Sequence, residues 1–121
     1  MTSRRVAGFP RRGEVYDARL DPVVGSEIGK QRPSIVVSND INNQYANTIT
    51  VVPVTSAPSP RHYPYEIRIP RGTAGLTLDS RAKCNQVRTV DKRRLGNFRG
   101  ALAEEYQVQL ERALKIHLGL S

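Results

Sequence analysis

The apolar positions of the 121-residue chain change rhythm once, near residue 100. Before that point they come in short runs broken by Gly, Pro, Asn and Asp; beyond it they recur at spacings of three and four. Residues 13–20 (GEVYDARL) read as a first strand. The loop that follows, 22–31, carries Gly25 and Gly29, which permit turns that other residues resist. Residues 34–38 hold Ile35, Val36 and Val37 in sequence, a run suited to a strand buried on both faces. Residues 48–54 are β-branched from Thr48 to Val52, side chains that pack well on a pleated surface and lose rotamers in a helix. Between these two strands, residues 39–47 are rich in Asn and Asp and read as turn-forming chain. Pro58, Pro60 and Pro64 mark 56–64 as a surface loop, and 65–69 and 76–87 supply further strands.

After the change of rhythm, Leu102, Tyr106, Leu110, Ala113, Leu114 and His117 fall on one mostly apolar helical face, with Gly119 as its stop. Glu104 and Glu105 near its start and Lys115 near its end complement the helix dipole. Strands first and a helix last, without alternating βαβ units, predict a mainly β (α+β) fold: a small antiparallel barrel or strongly bent sheet with a C-terminal helix.

Composition narrows the picture further. The length suits one core, and no repeat or composition shift marks a second. With 38% hydrophobic and 25% charged residues the chain falls in the globular range. No run approaches the roughly 18 apolar residues that cross a bilayer, and the N-terminus lacks the apolar core of a signal peptide, so a cytoplasmic protein with no membrane partner is expected. Cys84 is the one cysteine, and with His62 and His117 as the two histidines a Cys/His zinc site has too few ligands.

Charge adds a class of partner. Nineteen Lys and Arg oppose eleven Asp and Glu, a formal net charge of +8. Arg4, Arg5, Arg11 and Arg12 form one cluster; Arg81, Lys83, Arg88, Lys92, Arg93, Arg94 and Arg99 form a second, offset by Asp91. Such stripes suit a polyanion and predict salt-dependent binding through counterion release. They read also as a solvated surface with a basic tail. In the loop GSEIGKQRP, residues 25–33, Glu27, Lys30 and Arg32 are concentrated between two strands, in neither a Walker loop nor a dinucleotide fingerprint.

In context these residues resemble a family. RRGEVY (11–16), LDPVVGSEIGKQRPSIVVSND (20–40), VVPVTS (51–56), LDS (78–80) and NQVRTVDKRRL (85–95), in that order, resemble the MazF/PemK toxins of bacterial toxin–antitoxin systems. The resemblance implies a homodimer of small SH3-like barrels, each with a C-terminal helix, that cleaves single-stranded RNA without a metal or cofactor. It implies one domain over 11–121, with 1–10 a flexible basic tail. Arg32 corresponds to the family's catalytic arginine, Thr55 to its catalytic threonine, and Glu27 to a loop acid implicated in some members. The expected RNA path runs over Lys30, Gln31, Ser56, His62, Tyr63, Arg81, Lys83, Asn85, Gln86 and Arg88. The implied protein partner is a cognate antitoxin with an acidic C-terminal tail. The CcdB toxins share this fold while inhibiting DNA gyrase without catalysis; that reading, and a non-catalytic nucleic-acid-binding barrel, stand as alternatives.

The residue chemistry agrees with RNA cleavage through the 2′-hydroxyl. That reaction needs a proton removed, a phosphorane stabilised and the 5′-oxygen protonated. Arg32 offers a forked donor to phosphate oxygens and Thr55 a hydroxyl hydrogen. An arginine keeps its proton at neutral pH, which makes Glu27 the better base; in the family the arginine often takes the acid/base role. Asn85 and Gln86 offer hydrogen bonds to base edges, or equally to backbone groups at a strand end. Tyr63, beside His62, is the preferred stacking residue among the tyrosines, with core packing the competing reading. His117 is expected to be partly buried and Cys84 to pack within a strand.

Overall fold

The computed structural model describes residues 8–121; residues 1–7 of the expected tail lie outside the described residues. Seven strands form one antiparallel sheet: β1 (Glu14–Arg19), β2 (Gln31–Val36), β3 (Thr48–Thr55), β4 (Glu66–Ile69), β5 (Ser80–Lys83), β6 (Arg88–Asp91) and β7 (Leu95–Ala101). Two α-helices complete it, α1 (Asp40–Tyr45) and α2 (Glu104–Leu118), with short 3-10 turns at Cys84–Gln86 and Lys92–Arg94. The strand order is β4-β5-β3-β2-β1-β7, and β6 pairs with β3. β3 is the hub: its first half pairs with β6 (Thr48↔Asp91), its end with β5 (Thr55↔Arg81), and its other edge with β2 (Ser34↔Pro53). Among the described residues β4 and β7 are the free ends of this path, so the sheet is bent rather than closed into a continuous barrel.

Alternation along the central strands builds two cores from one sheet, because successive side chains leave a strand on opposite faces. Val15, Ile35, Val52 and Val54 enter one cluster with Ile67, Ala82, Leu102, Leu110 and Ala113 of the flanking elements. Tyr16, Ala18, Val36, Ile49 and Val51 enter the other with Leu20 and Val90. The Ile35–Val36 step therefore buries one residue on each side, as the unbroken apolar run predicts. α2 covers the first cluster through Leu110 and Ala113. It ends as expected at Gly119, whose left-handed backbone (φ 70°) turns Leu120 N–H back to the Lys115 carbonyl at 2.8 Å.

The structure departs from the sequence reading in three places. Residues 39–47 contain α1 rather than a simple turn. The Asn39 side chain accepts from Asn42 N–H at 2.8 Å, and that bond caps a helix as readily as it closes a turn. The stretch 76–87 yields only a short β5 before the 3-10 turn, which is where buried Cys84 sits. β6 and β7 carry no strand signal, because their basic residues mask it and bulges in the β1–β7 pairing, between Val15 and Tyr16 and between Tyr16 and Ala18, break the alternation. Gly100 is required there: a Cβ would stand 2.7 Å from the Ala74 carbonyl carbon. Among the described residues no helix is long and apolar enough to cross a membrane.

Candidate active site

Strand register assembles the candidate residues. Arg32 pairs with Ala18 across β1–β2, and Thr55 pairs with Arg81 across β3–β5. The β2–β3 pairing ends at Ser34↔Pro53, two residues before Arg32 on one strand and two residues before Thr55 on the other, so alternation puts both on the sheet face of Ser34 and Pro53. Directly opposed residues share a face, so both side chains leave the sheet opposite the core that α2 covers.

Each of the two is held by one hydrogen bond that leaves its chemistry unspent. The Arg32 Nε donates to the Gly29 carbonyl at 2.9 Å, and its two terminal nitrogens donate to no described residue. Gly29 has no room for a side chain: a Cβ would stand 2.9 Å from Val23 Cγ2 and closer still to the Asp21 carboxylate. Thr55 is buried, and its Oγ1 accepts from Ala57 N–H at 3.1 Å, so its own hydrogen donates to no described residue. A planar fork beside a hydroxyl donor suits a phosphate whose oxygens gain charge.

The loop between β1 and β2 carries Glu27 and Lys30. Glu27 Oε1 accepts from Val24 N–H at 2.8 Å and the Glu27 carboxylate is otherwise exposed. Glu27 lines a cleft of about 500 Å³ with Ser26, Asn85, Gln86 and Arg88, whereas Arg32 lines a different, smaller one with Gln31 and Ser56. Gln86 spends its amide on the loop: Oε1 accepts from Ile28 N–H at 3.1 Å and Nε2 reaches the Ser26 carbonyl at 3.5 Å. Of the two readings of that amide, backbone satisfaction is the one this structure displays. Asn85 Oδ1 is buried with no hydrogen-bond partner among the described residues. Lys30 and Gln31 open onto a third cleft, about 610 Å³, with Arg19, Arg93 and Arg94.

The basic run from Arg81 to Arg99 is divided among several partners. Arg81 and Lys83 both face Glu66, at 2.9 and 3.7 Å. Arg88 donates to the Leu20 carbonyl, and Arg94 to the carbonyls of Arg19 and Asp21. Arg93 forks onto Asp91, which holds that carboxylate below its ordinary range, and Arg99 pairs with Asp17 at 2.9 Å. His62 is exposed; Tyr63 stacks on Tyr65 with centroids 5.1 Å apart. His117, expected to be partly buried, is exposed at the end of α2, where the apolar face has run past the sheet; its ring lies 6.3 Å from Tyr65. Burial pushes the Cys84 thiol up to about 12, assisted by the negative charge of Glu66. Among the described residues no three His, Cys, Asp or Glu side chains converge as metal ligands.

Glu66 is the site residue that sequence reasoning missed. The alternation in EIRI offers the signal, since Ile67 and Ile69 in the core put Glu66 and Arg68 on the opposite face, with Thr55 and Arg81.

The family model for PemK-like, MazF-like toxins of type II toxin–antitoxin systems matches residues 11–118. Endoribonuclease MazF9 of Mycobacterium tuberculosis is 42% identical over 91% of this chain and 97% of its own length. Endoribonuclease MazF of Staphylococcus epidermidis is 38% identical over 92% of each chain. Among solved structures, MazF from Deinococcus radiodurans superposes with a TM-score of 0.81 at 23% identity, covering 94% of this chain and all of that one. A mycobacterial endoribonuclease in complex with its cognate antitoxin gives 0.76 at 23% identity, covering 93% and 97%.

Proposed function

The chain belongs to the PemK-like, MazF-like toxin family of type II toxin–antitoxin systems, and from that premise we propose that it is an endoribonuclease that cleaves single-stranded RNA at Arg32 and Thr55. One observation carries the assignment of the site. The Arg32 guanidinium is anchored through Nε with its terminal nitrogens donating to no described residue, on the same sheet face as a Thr55 hydroxyl that accepts from Ala57 N–H and donates to no described residue.

In this reading the RNA's own 2′-oxygen attacks phosphorus, the bond to the 5′-oxygen breaks, and a 2′,3′-cyclic phosphate and a 5′-hydroxyl result. Charge gathers on the non-bridging oxygens as the phosphorane forms. Arg32 and Thr55 bind those oxygens more strongly then than in the ground state, which is what lowers the barrier. With the RNA spanning the separate clefts of Glu27 and Arg32, Glu27 receives the 2′-hydroxyl proton on the carboxylate oxygen not bonded to Val24, and the Arg32 guanidinium protonates the leaving oxygen. No metal takes part. The open clefts of a single chain suit a groove shared between two copies, and the partner is an antitoxin whose acidic tail lies on the basic surface. Its affinity falls steeply with salt.

The test is incubation of the full chain with a long single-stranded RNA in EDTA. Cleavage persists, the new 5′ ends accept phosphate from a polynucleotide kinase without phosphatase treatment, and Arg32→Ala lowers kcat by about 10²–10³-fold. Loss of cleavage in EDTA overturns the metal-free chemistry. Activity unchanged in Arg32→Ala overturns the site.

A further inference from the structure

Thr55 reaches its position through a chain of contacts that starts at a buried acid. Glu66 has a side chain only 5% exposed, and Arg81 one only 11% exposed. Arg81 is not an ordinary partner for that acid, because it bridges. Its Nη1 donates to Glu66 Oε1 at 2.9 Å while its Nε donates to the Ala57 carbonyl at 3.0 Å. Ala57 is the residue whose N–H donates to Thr55 Oγ1. Ala57 thus meets the guanidinium with its carbonyl, in the peptide to Pro58, and the threonine hydroxyl with its N–H, in the peptide from Ser56, the two peptide groups joined at its Cα.

The sheet puts these groups together. Thr55 pairs with Arg81 and Glu66 pairs with Lys83, so all four side chains stand on one face; Val54, Ala82 and Ile67 point to the opposite face and into the core. β3 ends at Thr55, and residues 56 and 57 are exposed. No ladder bond orients the peptide that meets Oγ1, so the guanidinium supplies that restraint. A guanidinium is suited to it, since its planar fork reaches two acceptors at fixed angles and an ammonium does not. Glu66 in turn holds the guanidinium to one rotamer, and it also draws in the Lys83 ammonium at 3.7 Å.

We propose that the Glu66–Arg81 pair is a positioning device for Thr55: through Ala57 it fixes the hydroxyl's acceptor side and so aims its hydrogen at the scissile phosphate. This rests on the role given to Thr55 above. It reassigns Arg81 from RNA contact to positioning residue, with its charge committed to Glu66 rather than to a phosphate.

The experiment is a double-mutant cycle read in kcat and KM on one RNA substrate, with Glu66→Gln, Arg81→Lys and Thr55→Val, singly and combined. Glu66→Gln and Arg81→Lys each lower kcat by about 10- to 100-fold with KM within about twofold, because a misaimed donor fails in the transition state. In the Thr55→Val background both become silent, since no hydroxyl remains to be aimed. Effects that multiply with Thr55→Val overturn the proposal. So does an Arg81→Lys protein that keeps its kcat, or one that loses activity only in KM, as a phosphate contact does. If Thr55→Val alone leaves kcat intact, the role of Thr55 falls and the device falls with it; that outcome is distinct from failure of the device with Thr55 upheld. Melting curves of each variant guard against misfolding. Should Glu66→Gln unfold, the charge-preserving Arg81→Lys carries the cycle.

Discussion

Truncating Gln86 tests whether the loop bearing Glu27 and Lys30 is held from a distance. Gln86 sits in the 3-10 turn after β5, and its carbonyl oxygen accepts the Ile28 N–H at 3.1 Å. Gln86→Ala leaves that half-buried amide without its partner. A net hydrogen bond is worth about 0.5–1.5 kcal/mol, and a stranded donor pushes the cost to the upper end. The second bond, from Nε2 to the Ser26 carbonyl at 3.5 Å, is too long to add much. We therefore expect a loss of about 1–1.5 kcal/mol. At roughly 2.1 cal/mol/K per residue, the melting entropy of 121 residues is about 0.25 kcal/mol/K. The expected fall in Tm is then about 4–6 °C, measured by circular dichroism at one fixed protein concentration, because any self-association would make Tm concentration-dependent. Gln86→Glu keeps an acceptor for Ile28 while turning a carboxylate oxygen toward the Ser26 carbonyl, so its Tm falls by less than that of the alanine without matching the parent. The loop also carries the Gly29 carbonyl that anchors Arg32, so kcat falls in Gln86→Ala and much less in Gln86→Glu. Equal losses in the two variants, or a Tm unmoved by the alanine, refute the reasoning.

Two further outcomes follow from buried groups. Asn43 is fully buried, and its Nδ2 donates to the Ser38 carbonyl at 2.9 Å while its Oδ1 receives the Ser38 hydroxyl. Asn43→Ala strands both partners and is expected to cost about 2 kcal/mol, read as a lower urea midpoint at unchanged m-value. Cys84 carries a thiol pushed up to about 12, so at pH 8 only about one molecule in 10⁴ holds a thiolate; a disulfide reagent is expected to label it only on unfolding, and fast labelling of the native protein refutes its burial.

The candidate site was legible through the resemblance, because its residues sit in short motifs that match the family. Arg32 and Thr55 sit in QRP and VPVT, at the ends of strands that the β-branched runs already mark. Glu66 carried no comparable sign. An acid between apolar residues on a short strand reads as a solvated side chain until the cross-strand neighbour is known, and Arg81 is fifteen residues away. The partners of the basic run from Arg81 to Arg99 were likewise not legible in the sequence. Counted as charge it is one patch; counted by partner, Glu66, Asp91 and Asp17 neutralise much of it.

By itself the sequence determined what depends on consecutive residues: the doubly buried Ile35–Val36 step, the apolar face of α2 and its stop at Gly119, and the residue types able to bind a phosphate. Those follow from the periods of strand and helix, which are set within a few residues. The tertiary structure alone decided which strands meet and which charges are spent. β7 is a strand because β1 lies beside it, and Arg99 is quenched by an aspartate 82 residues earlier. Pairings of that range are chosen by the packing of the whole sheet, and the free energy that selects them does not reside in either partner's neighbourhood.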